Sequence, residues 1–289
     1  VGGGSPMDRA KGIGIVATNG GHIRDYEGVD RVSRPCPPLV FVPTTAGTGT
    51  EVTIVGVITD PSSHEKFAIN DLKLTPKIAA LDPELMVGLP PHITSTTGMD
   101  ALTHAVEAYI GRSGTPFTDD NAERAVKAIF GNLEECYGNP KNIEARAEMA
   151  LASYRAGAAF TRAYIGYVHA IAHNMGGLYG VPHGLANAII LPHVLRFSRV
   201  EARAKLASLA RLVDLGNPGD SDETLADQFI DAIEQMNARM EIPTTIAELQ
   251  AGDIPLIAKR ALDEAHPDYP VPRIMTHAQC ESLVRDLLA

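Results

Sequence analysis

The chain has 289 residues, 45% of them hydrophobic, enough to fill one large core or two ordinary ones. Its formal net charge of −10 argues against nucleic acid or an anionic membrane surface as partner, since both would repel it on approach. Three cysteines, Cys36, Cys136 and Cys280, lack CxxC spacing and suggest no disulfide framework, which points to a reduced, cytoplasmic setting, and no apolar run is long enough to span a bilayer.

Up to about Pro91 the sequence is rich in glycine, proline, threonine and β-branched residues. Short apolar runs bounded by turn residues, Leu39 to Val42, Val52 to Ile58 and Ile78 to Leu81, predict strands. The opening, Gly2-Gly3-Gly4-Ser5 followed by Asp8 and Lys11, predicts a strand end turning into a helix whose first turn is stripped of side chains. Such a turn presents bare amides and a positive dipole end to a phosphate. A second loop, Pro43 to Thr53, follows the Leu39 strand and offers four hydroxyls and two glycines in the eight residues from Thr44, a surface suited to a pyrophosphate or a ribose. Either loop alone is as readily an ordinary turn, but two of them, each after a strand, are harder to dismiss. Neither has GxGxxG spacing, so an ordinary Rossmann dehydrogenase is not supported.

From Thr94 onward alanine and leucine rise and apolar residues recur at helical spacing, as in Asp119 to Leu133, Ile143 to Phe160, Glu201 to Val213 and Glu223 to Met240. The Pro90-Pro91 pair stands at this change and divides the chain into residues 1–90, of α/β character, and 91–289, all-helical.

Asp100 and His104 stand four apart in a predicted helix, so both project from one face and can grip a single ion. His169 and His173 repeat that spacing, and His183 follows on a turn after Val181-Pro182. A lone histidine on an apolar helix is more often a satisfied core residue than a ligand. Four between His169 and His193 are more than helix packing demands. One carboxylate with several imidazoles suits a zinc or ferrous ion with a position left open for a substrate oxygen, where it would acidify an alcohol and polarise a carbonyl. Glu107, one turn further along the same face, reads as a supporting acceptor, because His169 and His183 already complete a set. His193, His266 and His277 have no partner at ligand spacing.

Four stretches carry a family likeness: GGGSPMDRAK from Gly2, PTTAGTGTEVT from Pro43, GMDALTHAVEAY from Gly98 and HAIAHNMGGLYGVPHGLANAIILPH from His169. They resemble the iron-containing, or group III, alcohol dehydrogenases, and the likeness runs along the whole chain. The resemblance implies a dehydroquinate synthase-like fold, with an N-terminal α/β nucleotide-binding domain, an all-α C-terminal domain, and metal and nicotinamide in the cleft between them. By position it implies Asp100, His104, His169 and His183 as metal ligands and His173 as the histidine near the nicotinamide that helps move the proton. Gly3, Gly4, Ser5 and Asp8 match the phosphate and ribose loop, and Thr44, Thr45, Thr53, Lys66, Leu85 and Gly88 match positions lining the dinucleotide. The implied cofactors are Fe2+, with Zn2+ as the other fit, and NAD, with NADP not excluded. The implied partner is a small alcohol or aldehyde, and a homo-oligomer is the expected assembly.

Two departures stand out. Thr161-Arg162 replaces an asparagine pair of the propanediol and lactaldehyde enzymes, and His266-Pro267-Asp268-Tyr269 replaces their asparagine-proline segment. Both stretches are expected at the substrate pocket, so the relatives' substrates do not carry over. The family also has a segment ahead of the glycine loop, with the first β-α-β unit and the NAD/NADP-selecting residues. Lacking it, residues 1–90 are expected to be the less stable part, with an exposed sheet edge. A metal hydrolase is the rival reading, which leaves the glycine loops without use. A non-catalytic truncated homologue is another, against which the intact metal residues count.

Overall fold

The computed structural model of the chain describes residues 1–60 and 65–289. Helix α1 (Gly4–Asn19) follows directly on the opening glycines. Gly2 pairs in parallel with Pro43, exchanging its N–H with the Val42 carbonyl at 3.1 Å and its carbonyl with the Thr44 N–H at 3.0 Å. The next strand, β2 (Val40–Phe41), runs parallel to β5 (Ile78–Ala79), and Val40 and Ile78 are more than half exposed on it. A second small sheet joins β1 (Gly28–Val29), β4 (Glu65–Asn70) and β3 (Val55–Asp60), with β3 antiparallel to β4 and β1 parallel to it. Ile15 of α1 meets Val32, Phe67, Ile69 and Leu74 in a core of its own beneath this sheet.

All described strands end by Ala79, and α2 (Pro91–Ile110) starts at the second proline of the predicted boundary, with proline at the first helical position, where a missing N–H costs nothing. This helix is wrapped by α3 (Pro116–Gly138), α4 (Ile143–Ala163) and α6 (His183–Leu212), which is why Met99, Leu102 and Val106 are wholly buried. The bundle is completed by α5 (Tyr167–Tyr179), α7 (Asp222–Arg239), α8 (Ile254–Ala265) and α9 (His277–Arg285).

The helix expected over Glu201 to Val213 is only the last part of α6, which runs unbroken through Pro192. Proline cannot bond back to the carbonyl four residues earlier. That carbonyl, on Ala188, instead accepts from the buried Asn237 Nδ2 at 2.7 Å, so the helix continues with its acceptor satisfied. No helix among the described residues is long and apolar enough to cross a membrane.

Candidate metal centre and the loops beside it

Glycines decide how closely the elements meet here. A Cβ on Gly184 would lie 2.4 Å from the Thr96 carbonyl oxygen, and one on Gly98 would lie 2.2 Å from Leu133 Cδ1. Only glycine at these positions lets α6 begin against α2 and lets α3 press on its other side. His183 is therefore the first residue of α6, beside Asp100, and not on a turn as expected.

One ligand atom from each of Asp100, His104, His169 and His183 can be chosen so that all four lie within 4.8 Å of one another. Asp100 Oδ1 is 3.5 Å from His183 Nε2 and 3.8 Å from His169 Nε2. The His104 ring is stacked between Phe160, at 4.2 Å, and His169, at 4.5 Å. Burial, above all, lowers the pKa of His104 and holds that of His169 well below the usual imidazole range. Neutral imidazoles have lone pairs to donate. Three of them converging with one carboxylate form the donor set of a divalent transition-metal ion, and the residues fit one.

Glu107 supports this set from behind. Its Oε2 accepts from His169 Nδ1 at 2.6 Å and its Oε1 from the Val168 N–H at 2.8 Å, so the ring turns Nε2 toward the ligands. Gly166 makes room, since a Cβ there would lie 2.7 Å from Glu107 Oε1. Burial pushes the Glu107 carboxyl up to about 7.

His173 stands apart from the four. Its ring stacks on His183 at 5.3 Å, and its Nδ1 is 2.8 Å from Glu264 Oε1, which also accepts from the Tyr269 hydroxyl at 2.8 Å. Two residues at the site escape sequence reasoning. Glu264 is 91 positions from His173 and has no local signal. Asn187 does have one, standing four residues after His183 on the same helix. Its Nδ2 donates to Asp100 Oδ1 at 2.6 Å and lies 3.1 and 3.2 Å from Nε2 of His183 and His169.

The two glycine loops lie together. A Cβ on Gly3 would meet Thr45 Oγ1 at 3.3 Å, and one on Gly4 would meet Thr48 Cγ2 at 2.8 Å. Ser5 is exposed in the first turn of α1, and Asp8 is half-buried one turn on. Burial raises the Asp8 carboxyl to about 6 against the pull of Lys11. Thr44 and Thr45 are half-buried, whereas the Thr53 hydroxyl faces inward and takes a hydrogen bond from Lys11. Leu85 and Gly88 are exposed in and after the turn Pro83–Met86. Lys66, on β4, pairs with Thr59 of β3, and its side chain lies outside the described residues.

Gly47 and Gly49 have a role that composition does not reveal. A Cβ on Gly47 would sit 2.7 Å from the Thr97 carbonyl oxygen, and one on Gly49 would sit 2.7 Å from Gly157 Cα, so the loop's backbone lies directly on α2 and α4. Thr161 Oγ1 accepts from the Ile54 N–H at 3.1 Å, and Arg162 stacks over Phe117 at 5.0 Å. These contacts set Thr161 against the second loop and Arg162 against Phe117. The second variable stretch does reach the site, through Tyr269 and Glu264.

Two family models cover most of the chain. Residues 94–288 match the C-terminal domain of the Fe-containing alcohol dehydrogenase family, and residues 1–83 match iron-containing alcohol dehydrogenase. The NAD-dependent methanol dehydrogenase of Bacillus methanolicus is 42% identical over 290 residues, spanning 100% of this chain and 76% of that protein. The 1,3-propanediol dehydrogenase of Klebsiella pneumoniae is 44% identical over 268 residues, 92% of this chain and 69% of the relative. Among solved structures, a 1,3-propanediol oxidoreductase superposes with a TM-score of 0.95 at 41% identity, covering 99% of this chain and 75% of that one.

Proposed function

Because the chain belongs to the iron-containing alcohol dehydrogenase family, we propose that it oxidises a primary alcohol reversibly, passing hydride to a nicotinamide cofactor at a divalent metal centre. Membership makes it an oxidoreductase of alcohols and aldehydes. In this reading residues 1–90 serve the cofactor and residues 91–289 the metal and the substrate. The supporting observation is the convergence of Asp100, His104, His169 and His183, with His173 stacked beside them and the second loop packed on α2 and α4 with the first against it.

Asp100, His104, His169 and His183 would hold the ion, with Fe2+ the first candidate and Zn2+ the second. When bound, such an ion favours the alkoxide form of an alcohol and polarises a carbonyl for hydride attack. The remaining work falls to the protein. Glu107 fixes the tautomer of His169, and the Asn187 amide restrains the Asp100 carboxylate. Glu264 takes Nδ1 of His173, which leaves Nε2 as the atom that receives the alcohol proton during oxidation and returns it during reduction. Gly3, Gly4, Ser5, Asp8, Thr44 and Thr45 would face the dinucleotide, NAD being the form named for the methanol dehydrogenase relative. Thr53 would act through the shape of its loop. A hydrolase would have no use for the paired glycine loops beside α2.

Assay with a panel of primary alcohols and both nicotinamide cofactors, before and after chelation, tests this. Chelator-sensitive reduction of cofactor is expected. Turnover that is indifferent to chelation, or hydrolysis without cofactor, would refute it.

A further inference from the structure

Glu264 and His173 come from α8 and α5, and their side chains are 31% and 30% exposed. A carboxylate with that much access to water has little reason to keep one rotamer against an imidazole, because a part-exposed pair gains little over hydration and side-chain freedom. Glu264 has a second donor. The Tyr269 hydroxyl lies 2.8 Å from Oε1, the same oxygen that stands 2.8 Å from His173 Nδ1, and it donates there, since a carboxylate only accepts.

Tyr269 is the fixed member of this trio. Its ring packs against the main core, and the segment that carries it is fastened on both sides. The Tyr269 N–H donates to the Ala265 carbonyl at 2.8 Å, and the Val271 N–H donates to the Tyr269 carbonyl at 2.9 Å. Arg112, just past α2, donates its N–H to the Pro270 carbonyl at 2.7 Å and its Nη2 to the Pro272 carbonyl at 2.6 Å. His266 Nε2 is 2.8 Å from the Tyr167 hydroxyl on α5. The hydroxyl is therefore aimed by ties to three helices, whereas Glu264 by itself has only its own. Burial and the neighbouring Glu264 charge raise the Tyr269 pKa, which keeps that hydroxyl protonated. Tyr269 lies in the stretch where this chain departs from the propanediol and lactaldehyde enzymes, so likeness to them says nothing of its role.

We propose that Tyr269 is a positioning residue for proton transfer, holding the Glu264 carboxylate on Nδ1 of His173 and so keeping the tautomer whose Nε2 takes the alcohol proton; this rests on the reading of His173 given above. The test uses Tyr269→Phe, which keeps the ring and removes only the hydroxyl, beside His173→Gln and the double variant, all loaded with zinc. Hydride transfer is followed in single turnovers at saturating primary alcohol and cofactor, which separates chemistry from product release. NMR of protein with isotopically labelled histidine reads the tautomer of His173, whose signals are those missing from His173→Gln. Tyr269→Phe should slow the transfer about tenfold, with metal content and the alcohol KM within about twofold of the parent, and His173 should lose its uniform Nδ1–H signature. On the His173→Gln background the same change should alter the rate by less than about twofold, because its effect runs through the imidazole. A Tyr269→Phe rate within about twofold of the parent, equal losses with and without His173, or an unchanged tautomer overturns the proposal. If His173→Gln is slow and Tyr269→Phe is not, only Tyr269 has been misassigned; if neither is slow, the reading of His173 fails as well.

Discussion

The metal centre and the paired loops are specified in opposite ways. On α2, α5 and α6 the chemistry lies in side chains, one carboxylate and three imidazoles, set at helical spacing in a close-packed bundle. In the loops it lies largely in what is missing. Gly3 and Gly4 leave room for the side chains of Thr45 and Thr48, Gly47 and Gly49 let backbone approach the backbone of α2 and α4, and the buried Lys11 ammonium bonds the Thr53 carbonyl at the loop's end. Replacement of a ligand should therefore remove a function and spare the fold, whereas filling a glycine should disturb packing first.

The largest effect is expected at the ligands. Asp100→Asn and His183→Ala should each lose the metal and lower activity by about a thousandfold or more, with the helical circular dichroism nearly unchanged, because the bundle has its own core. Unaltered metal stoichiometry in both variants would break the assignment. Gly49→Val should act in the reverse order. It places a β-branched residue at φ +63° with its Cβ 2.7 Å from Gly157 Cα, and should cost about 3 kcal/mol in denaturant unfolding and weaken cofactor binding. A stable Gly49→Val with full cofactor affinity would show that the seam is not tight.

His173→Gln should reduce kcat about a hundredfold and alter its pH profile while the metal stays. Loss of metal as complete as in His169→Ala would make His173 a ligand. Glu107→Gln should be milder, weakening metal affinity about tenfold by removing the acceptor that orients His169, as competition with a chelator would show.

The smallest effect is on stability with pH. His104 and His169 are held neutral by burial, so the unfolded chain takes up protons near pH 6.5 that the folded chain refuses. Their contribution is complete above about pH 6.5 and declines as the pH falls from there toward the folded pKa values. Denaturant melts with chelator present should show a midpoint that drops below that pH. A midpoint that stays level would mean the rings are less buried than they stand here.

How much of this is legible in the sequence follows from the same contrast. Asp100 with His104, and His169 with His173, are readable because a four-residue spacing on a helix is local geometry. The start of α6 is not, since Val181-Pro182 signals a turn equally well, and with that start goes the position of Asn187. Pro192 reads as a stop, because the rescue of the Ala188 carbonyl by Asn237 spans 49 residues. Glu264 meets His173 only through the packing of α8 on α5. The family likeness marks Lys11 as part of a motif. Its burial is invisible there, because lysine side chains ordinarily lie in solvent.

The central claim is hydride transfer that depends on the four-residue metal centre. Its most direct measurement uses a primary alcohol carrying two deuterium atoms at the reacting carbon, incubated with oxidised nicotinamide cofactor and analysed by mass spectrometry. The account predicts deuterium in the reduced cofactor, lost on chelation, regained with added Fe2+ or Zn2+, and absent from Asp100→Asn throughout. Turnover of the alcohol that leaves the cofactor unlabelled, or labelling that survives complete removal of the metal, would contradict it.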